Sequence, residues 1–465
     1  MTKSKNGLFI FHRDLRIDDN IGLNYASEKC ENLYTCFIFT PEQVTNTNKY
    51  KSSNSVQFMI ESLQELKSTI KDKNGDLLCF YGNTKLVLKH LIDKLDINSV
   101  FFNRDYSPYA IERDDEVMKL CEKSNVNCET SSDYYLYEPG SILVDSSQKA
   151  YKKYTPFYNA VIKKSVLKPV YKRSFPFSTT KIDSKYNISL NDAMRKFVKI
   201  NSNILVNGGI KLAKTRLLTA VKNQEKYDTT RDFFECKTTH LSAYIKFGCI
   251  SIRDVYHAFK NKFGLDHGLI RELIWREFFA HVLYAYPEVV GKSYQPKYRS
   301  LKWSNSEKNI DSWKKGLTGF PMVDACMREL NTTGYMHNRG RMTTASFLIK
   351  TLLIDWRIGE QYFAQQLTDY DIASNNGNWQ GISGTGVDMK PYFRDMNPWI
   401  QSSKFDKDAK YIKKWVPELE NVNASDIHMW DEKHKLEKYK DVKYPKPIVD
   451  YYSQKEKMLE MYKSA

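Results

Sequence analysis

The strongest constraint in this sequence is a change of hydrophobic period partway along the chain. From residue 7 to about 130, the short β-rich runs GLFIF, YTCFIF, DLLCFYG and SVFFN alternate with amphipathic stretches such as SVQFMIESLQELKSTI. Parallel strands need crossover connections, and helices on both faces bury such strands, so the pattern predicts a doubly wound parallel sheet. That architecture offers a crevice at the carboxyl ends of its strands. No GxGxxG follows the first run, so the dinucleotide fingerprint is absent.

From about 131 to 200 the chain turns to Tyr, Ser, Lys and Pro with weak periodicity, as in EPGSILVDSSQKAYKKYTPFYNAV, and reads as a long connection. Beyond about 205 it reads as helix after helix. IRELIWREFFAHVLYAYP stops at Pro287, GFPMVDACMRELNTTG has Pro321 near its start and Gly334 after its end, and RGRMTTASFLIKTLLIDW continues the pattern. The expected organisation is an α/β domain over 1–130, a linker over 131–200 and a helical domain over 201–465.

A chain of 465 residues exceeds one ordinary core, and 41% hydrophobic residues suffice for two. Lys and Arg number 71 against 55 Asp and Glu, a formal +16 that favours a polyanionic partner, nucleic acid first. A general bias toward Lys and Asn is the plainer source of the same charge. Eight scattered cysteines, without CxxC or metal-ligand spacing to histidine, predict a reducing compartment and no metal site. With no apolar signal core and no run of about 20 apolar residues, the expectation is a soluble, intracellular protein, cytoplasmic or nuclear, with no membrane partner.

Helical spacing puts Glu272, Trp275, Arg276 and Phe279 on one stripe, a set suited to hydrogen-bonding and stacking a flat polar ligand such as a base. A core indole beside a surface ion pair is the bland alternative. Asn338 and Met342 stand at i and i+4 beside Arg339 and Arg341, where Asn can hold a base edge and Met can face a ring. Thr238, Thr239 and Ser242 precede an expected helix and suit a pyrophosphate or plain helix caps. Trp303, Trp356 and Trp379 carry no meaningful spacing, although clustered indoles can relay an electron.

These segments fall into one order. FIFHRDLRIDDN, RDFFECKTTHLSAYIKFG, ELIWREFF, GLTGFPMVDACMRELNTTGYMHNRGRMTTASFLIKTLLIDWRIGEQYF, DIASNNGNWQ and PYFRDMNPWIQSSKFD together resemble the DNA photolyase and cryptochrome family. The resemblance implies an α/β domain of the antenna type and a helical domain that encloses FAD. By motif, Tyr227, Thr238, Thr239, Leu241 and Ser242 would hold the FAD phosphates. Arg341 and Asp369 would pair beside the flavin, Asp371 would lie along its edge, and Asn375 would face its reactive nitrogen.

The resemblance is nearest to class I cyclobutane pyrimidine dimer photolyases, because members that repair (6-4) photoproducts carry two histidines where Asn338 and Met342 stand. The implied function is light-dependent repair of UV-damaged DNA by a monomer, with photoexcited reduced FAD lending an electron to a flipped-out dimer. Glu272 and Asn338 would hydrogen-bond the pyrimidines, and Trp275 and Met342 would press on their faces. Arg231, Arg276, Arg339 and Gln401 would contact the DNA. Trp379, Trp356 and Trp303 would relay electrons from the surface to oxidised FAD.

Two departures matter. Most such photolyases have a second aromatic wall where this chain has Gly381, and Trp399 is the neighbouring indole expected to compensate. The alternatives are a cryptochrome that signals without repair, or (6-4) or single-strand-directed repair; the end of the chain at 465, without a long tail, weighs against the first. Folate-binding members carry an Asn-Glu pair where Tyr109 and Ala110 stand, so of the three second chromophores left open, deazaflavin, flavin and folate, the segment is more similar to that of members with one of the first two, or with none.

Overall fold

The computed structural model describes residues 3–388 and 391–465. The four anticipated runs form strands β1 (Ser4–Phe11), β2 (Cys30–Phe39), β3 (Leu77–Tyr81) and β4 (Ser99–Asn103), and a fifth, β5 (Asn127–Ser131), completes the sheet. All pairings are parallel, in the order β3-β2-β1-β4-β5. Leu8, Ile10, Cys36 and Val100 pack on one face and Phe9, Phe11, Phe37 and Phe101 on the other, so the strands read as continuous apolar runs. β5 escaped the sequence reading because NCETS is polar and only partly buried at the sheet edge.

The order reverses between β1 and β4, and the residues just beyond these strands meet there: the Arg13 guanidinium pairs with Asp105 at 2.9 Å. This is the switch-point crevice expected of such a sheet. It is closed on its far side by the helical domain.

The connection over 131–200 carries structure of its own. It holds a short hairpin (Leu143–Val144 with Lys149–Ala150), a linker helix (Tyr154–Val161) and a helix at Leu190–Phe197. Bridges from Phe177 to Leu33 and from Asn187 to Phe80 tie it to the sheet.

The helical domain packs on the α/β domain through apolar and buried polar contacts. Arg253 donates to Asp19 at 2.8 Å and Asp133 at 2.7 Å, and Asp133 also pairs with Arg16 at 2.7 Å. Every member is buried, so breaking one partner would strand a buried charge.

Two helices follow the sequence closely. Gly268–Ala285 (the Trp275 helix) starts at the His267 cap, whose Nδ1 accepts from the Leu269 amide at 3.3 Å, and ends before Pro287. Pro321–Thr333 ends at Gly334, whose φ of 68° is the left-handed cap that glycine favours. The third expected helix is broken: Asn338–Ser346 (the Asn338 helix) runs into a π-turn at Phe347–Thr351, and Leu353 takes φ 55°. A new helix, Trp356–Gln366, then starts with Asp355 accepting from the Arg357 amide at 3.0 Å. Unbroken apolar periodicity hides such a break. Ile372–Ser383 (the Asn375 helix) follows, capped by Asp371.

Candidate active site

Two adjoining cavities of about 580 Å³ and about 110 Å³ lie in the helical domain and share Asn338, Arg341, Met342, Asp369, Asn378 and Ile382. The larger has the volume of a cofactor-sized pocket.

Its polar end is built on Asp369. Arg341 Nη2 donates to Asp369 Oδ2 at 2.9 Å, and Ser242 Oγ donates to the same oxygen at 2.6 Å. Burial opposes ionisation, yet the Arg341 charge and these hydrogen bonds hold the Asp369 carboxyl below the usual carboxylate range. Arg341 Nε is fixed by the Met336 carbonyl at 2.8 Å, so the guanidinium is held from two sides. Tyr227, Thr238 and Thr239 line the same cavity. Leu241 is buried beneath them, its amide donating to Thr239 Oγ1 at 3.3 Å. The following helix, Ser242–Lys246, is only five residues long, so the hydroxyls rather than a helix terminus define this end.

Asp369 Oδ1 and His240 Nδ1 are buried without a hydrogen-bond partner. Buried polar atoms are paired in native proteins, so both ask for a ligand atom. Burial keeps His240 neutral, with its pKa lowered to about 4. Hydroxyls, a fixed guanidinium, orphaned polar atoms and flanking rings together fit FAD.

The aromatic end belongs to the Trp275 helix. Glu272, Trp275 and Phe279 line the cavity, and Phe279 reaches it because a Cβ at Gly377 would stand 2.2 Å from its ring. Glu272 Oε1 accepts from Arg231 Nη1 at 2.5 Å. Arg276 is turned away: its Nη1 donates to the Tyr134 carbonyl at 2.9 Å, and its guanidinium covers the Tyr135 ring at 4.4 Å. The stripe is wider than the cavity, and Arg276 lies on the edge nearest the α/β domain. Gln401 also stands outside the cavity lining, on the helix Pro398–Phe405. Arg339 lines it and pairs with Asp232 at 2.5 Å.

Between the two ends, Asn338 and Met342 face both cavities, with Asn338 Nδ2 donating to Met342 Sδ at 3.7 Å. Asn375 lines the smaller one, and its Nδ2 donates both to the Glu360 carbonyl at 3.1 Å and to Glu360 Oε1 at 3.0 Å. With both amide hydrogens engaged, Oδ1 is the atom left for a ligand. Burial raises the Glu360 carboxyl to about 7, against the hydrogen bonds of Asn375 and Tyr50. Asp371 caps the Asn375 helix at the Ser374 amide (3.0 Å) and pairs with Arg13 at 2.9 Å. It thereby touches both the smaller cavity and the crevice of the α/β domain.

Trp379 is buried and lines the smaller cavity, its ring edge-on to Phe363 at 5.0 Å. A Cβ at Gly359 would stand 2.2 Å from the Trp379 ring, so that glycine makes room for the indole. Trp356 is buried at the start of its helix, and Trp303 is half-buried beside Tyr462 at 6.3 Å. Trp313, which the sequence did not single out, lies 6.4 Å from Trp379.

Gly381 faces the larger cavity, and a Cβ there would meet nothing within 4 Å. Trp399 does not fill the gap: it is buried and stacked on Phe320 at 4.7 Å, within the core.

The crevice at the strand ends has a volume of about 270 Å³ and is lined by Arg13, Thr40, Tyr50 and Lys246 among others. Tyr109 hydrogen-bonds Thr40 at 3.1 Å, and Ala110 is buried behind it. Burial, followed by the Arg13 charge, lowers the Lys246 pKa to about 7.

An α/β domain joined to a helical domain with such a cavity defines a two-domain flavoprotein. Comparison with known proteins gives its relationship: the family described as DNA photolyase matches residues 8–174, and the FAD binding domain of DNA photolyase matches 269–464. A deoxyribodipyrimidine photo-lyase of Buchnera aphidicola subsp. Baizongia pistaciae is 36% identical, with 98% of each chain covered. The enzyme of the same name from Escherichia coli K12 is 33% identical over 98% of each. Among solved structures, a Sulfolobus tokodaii photolyase described with two FAD molecules superposes with TM-score 0.88 at 39% identity, covering 99% of this chain and 100% of that one. A Synechocystis cryptochrome gives 0.89 at 26%, with the same coverage. The chain belongs to the DNA photolyase family. Among the described residues no helix is long and apolar enough to cross a membrane.

Proposed function

We propose that this chain is a deoxyribodipyrimidine photo-lyase that splits cyclobutane pyrimidine dimers in DNA in the light. The observation that carries the reading is that Glu272, Trp275, Asn338 and Met342 line the same cavity as Arg341, Asp369 and Ser242. Reduced FAD, when bound, supplies a light-driven one-electron donor.

Arg341 and Asp369 hold the flavin, with Asp369 Oδ1 and His240 Nδ1 as the open polar positions. The hydroxyls of Tyr227, Thr238, Thr239 and Ser242 bind the phosphates, and Leu241 supports their loop. Asn375 presents its oxygen to the flavin, and Asp371 fixes the helix that carries it. A dimer flipped from the duplex lies against Trp275 and Met342, with Glu272 and Asn338 on its polar edges. Arg231 and Arg339 flank the cavity and contact phosphate, whereas Arg276 is held on Tyr134 and Tyr135 and Gln401 stands outside the lining.

Splitting restores two pyrimidines with no net proton or electron, so the site needs no proton relay at Asn338 and Met342. Trp379, Trp356 and Trp303 reduce oxidised flavin from the surface, with half-buried Trp303 at the outer end and Trp379 on the smaller cavity. The crevice at the strand ends takes a second, light-harvesting chromophore of the flavin or deazaflavin type, and Lys246 and Arg13 favour an anionic group there. The protein acts as a monomer on UV-damaged DNA.

The test is blue-light repair of dimer-containing DNA by protein with reduced flavin, against a dark control and a (6-4) substrate. Dimers disappear only in the light and (6-4) products persist. Loss of neither lesion, with a stable light-dependent change in the flavin, would favour the cryptochrome reading that the open Gly381 position invites.

A further inference from the structure

Trp275 is backed by a ring from outside its own domain. Tyr154, the first residue of the linker helix, lies flat on the indole, with ring centroids 3.6 Å apart and planes 3° from parallel. Three further contacts fix it: its hydroxyl donates to the Arg271 carbonyl at 2.9 Å, its amide donates to Asp388 Oδ2 at 3.0 Å, and Lys153 beside it pairs with Asp388 at 3.4 Å. Asp388 itself lines the cavity. Phe278 meets both rings edge-on, at 6.0 Å from Tyr154 and 5.8 Å from Trp275.

Tyr154 is buried and does not line the cavity, whereas Trp275 does and is only half-buried. At Gly381, which also lines the cavity, a Cβ would meet only open space, so that position supplies no ring to share the task. An indole free to turn must lose that freedom when a base stacks on it, which weakens binding. A ring already held flat from behind has lost it beforehand.

We infer that Tyr154 is a positioning residue for lesion recognition, which presets the Trp275 plane and couples the linker helix to the cavity rim. The inference rests on the dimer-repair reading. It predicts a specific split: removing the ring weakens binding of dimer-containing DNA about five- to tenfold, but leaves binding of undamaged DNA, FAD content and repair per absorbed photon at saturating DNA within twofold. The hydroxyl anchors the ring but is not the face that backs the indole, so Tyr154→Phe stays within twofold of the unaltered protein throughout.

The experiment titrates dimer-containing and undamaged oligonucleotides in the dark against unaltered, Tyr154→Ala, Tyr154→Leu and Tyr154→Phe holoproteins. Leucine fills the volume without a flat face, so it carries the same prediction as alanine if the smaller residue prevents folding. Three results would overturn the inference: dimer affinity within twofold in both ring-less variants, an equal loss in Tyr154→Phe, or an equal loss for undamaged DNA. If the unaltered protein does not discriminate dimer from undamaged DNA, the repair reading and the inference both fail; if it discriminates and the ring-less variants do so equally, only the role of Tyr154 fails.

Discussion

The polar and aromatic ends of the main cavity are held in different ways. At the polar end the charged groups are tied together: Arg341 and Ser242 converge on one oxygen of Asp369, and the other oxygen has no partner. At the aromatic end Trp275 is backed by a stacked ring, while the Gly381 position of the lining carries no side chain. The polar end is a preset socket whose parts fail together. The aromatic end is a single wall whose strength depends on what stands behind it.

The comparison breaks first at Asp369. Asp369→Ala leaves the half-buried Arg341 without its ion-pair partner and opens the socket on that side. The expected outcome is purified protein without flavin absorbance that still binds undamaged DNA; retained flavin would show that the polar end is not the socket. Trp275→Ala acts on the other end alone. Dimer affinity should fall by about 1–3 kcal/mol, the range for a base stacked on an aromatic ring, with flavin content unchanged in the absorption spectrum.

Filling the bare side sharpens the contrast. Gly381 lies in a helix with open space before it, so Gly381→Trp should be accommodated and raise dimer affinity by about 1 kcal/mol, read in the same titration. An unchanged or weaker affinity would mean that the open side serves another contact.

The smallest effect concerns pH. Burial raises Glu360 from the ordinary 4.5 to about 7, so its folded form prefers the proton. Its contribution to stability is full below the unfolded value and is lost as pH rises through about 7. Glu360→Gln removes that titration and should flatten the fall in melting temperature between pH 5 and 8.

The doubly wound sheet was legible because strands buried on both faces show as apolar runs, and only polar β5 at the edge was missed. The cavity ends were legible where a motif put its residues on one helix face: Glu272 with Trp275, and Asn338 with Met342. Periodicity alone placed Arg276 on the same stripe, and only the packing of the connecting segment against that helix shows it turned to Tyr134. Trp399 looked like a replacement wall because sequence does not tell a core indole from a lining one. Glu360 and Tyr154 gave no signal at all. Each acts through a side chain on a segment distant in sequence, and such contacts exist only once the chain has folded.

The most direct measurement is the action spectrum for loss of cyclobutane dimers by flavin-reduced protein, with Asp369→Ala alongside. The account predicts that repair follows the absorption of the bound chromophores, stops in the dark and is absent from the flavin-free variant. Dimers that persist under illumination, while the reduced flavin is bound and the DNA is saturated with protein, would contradict it.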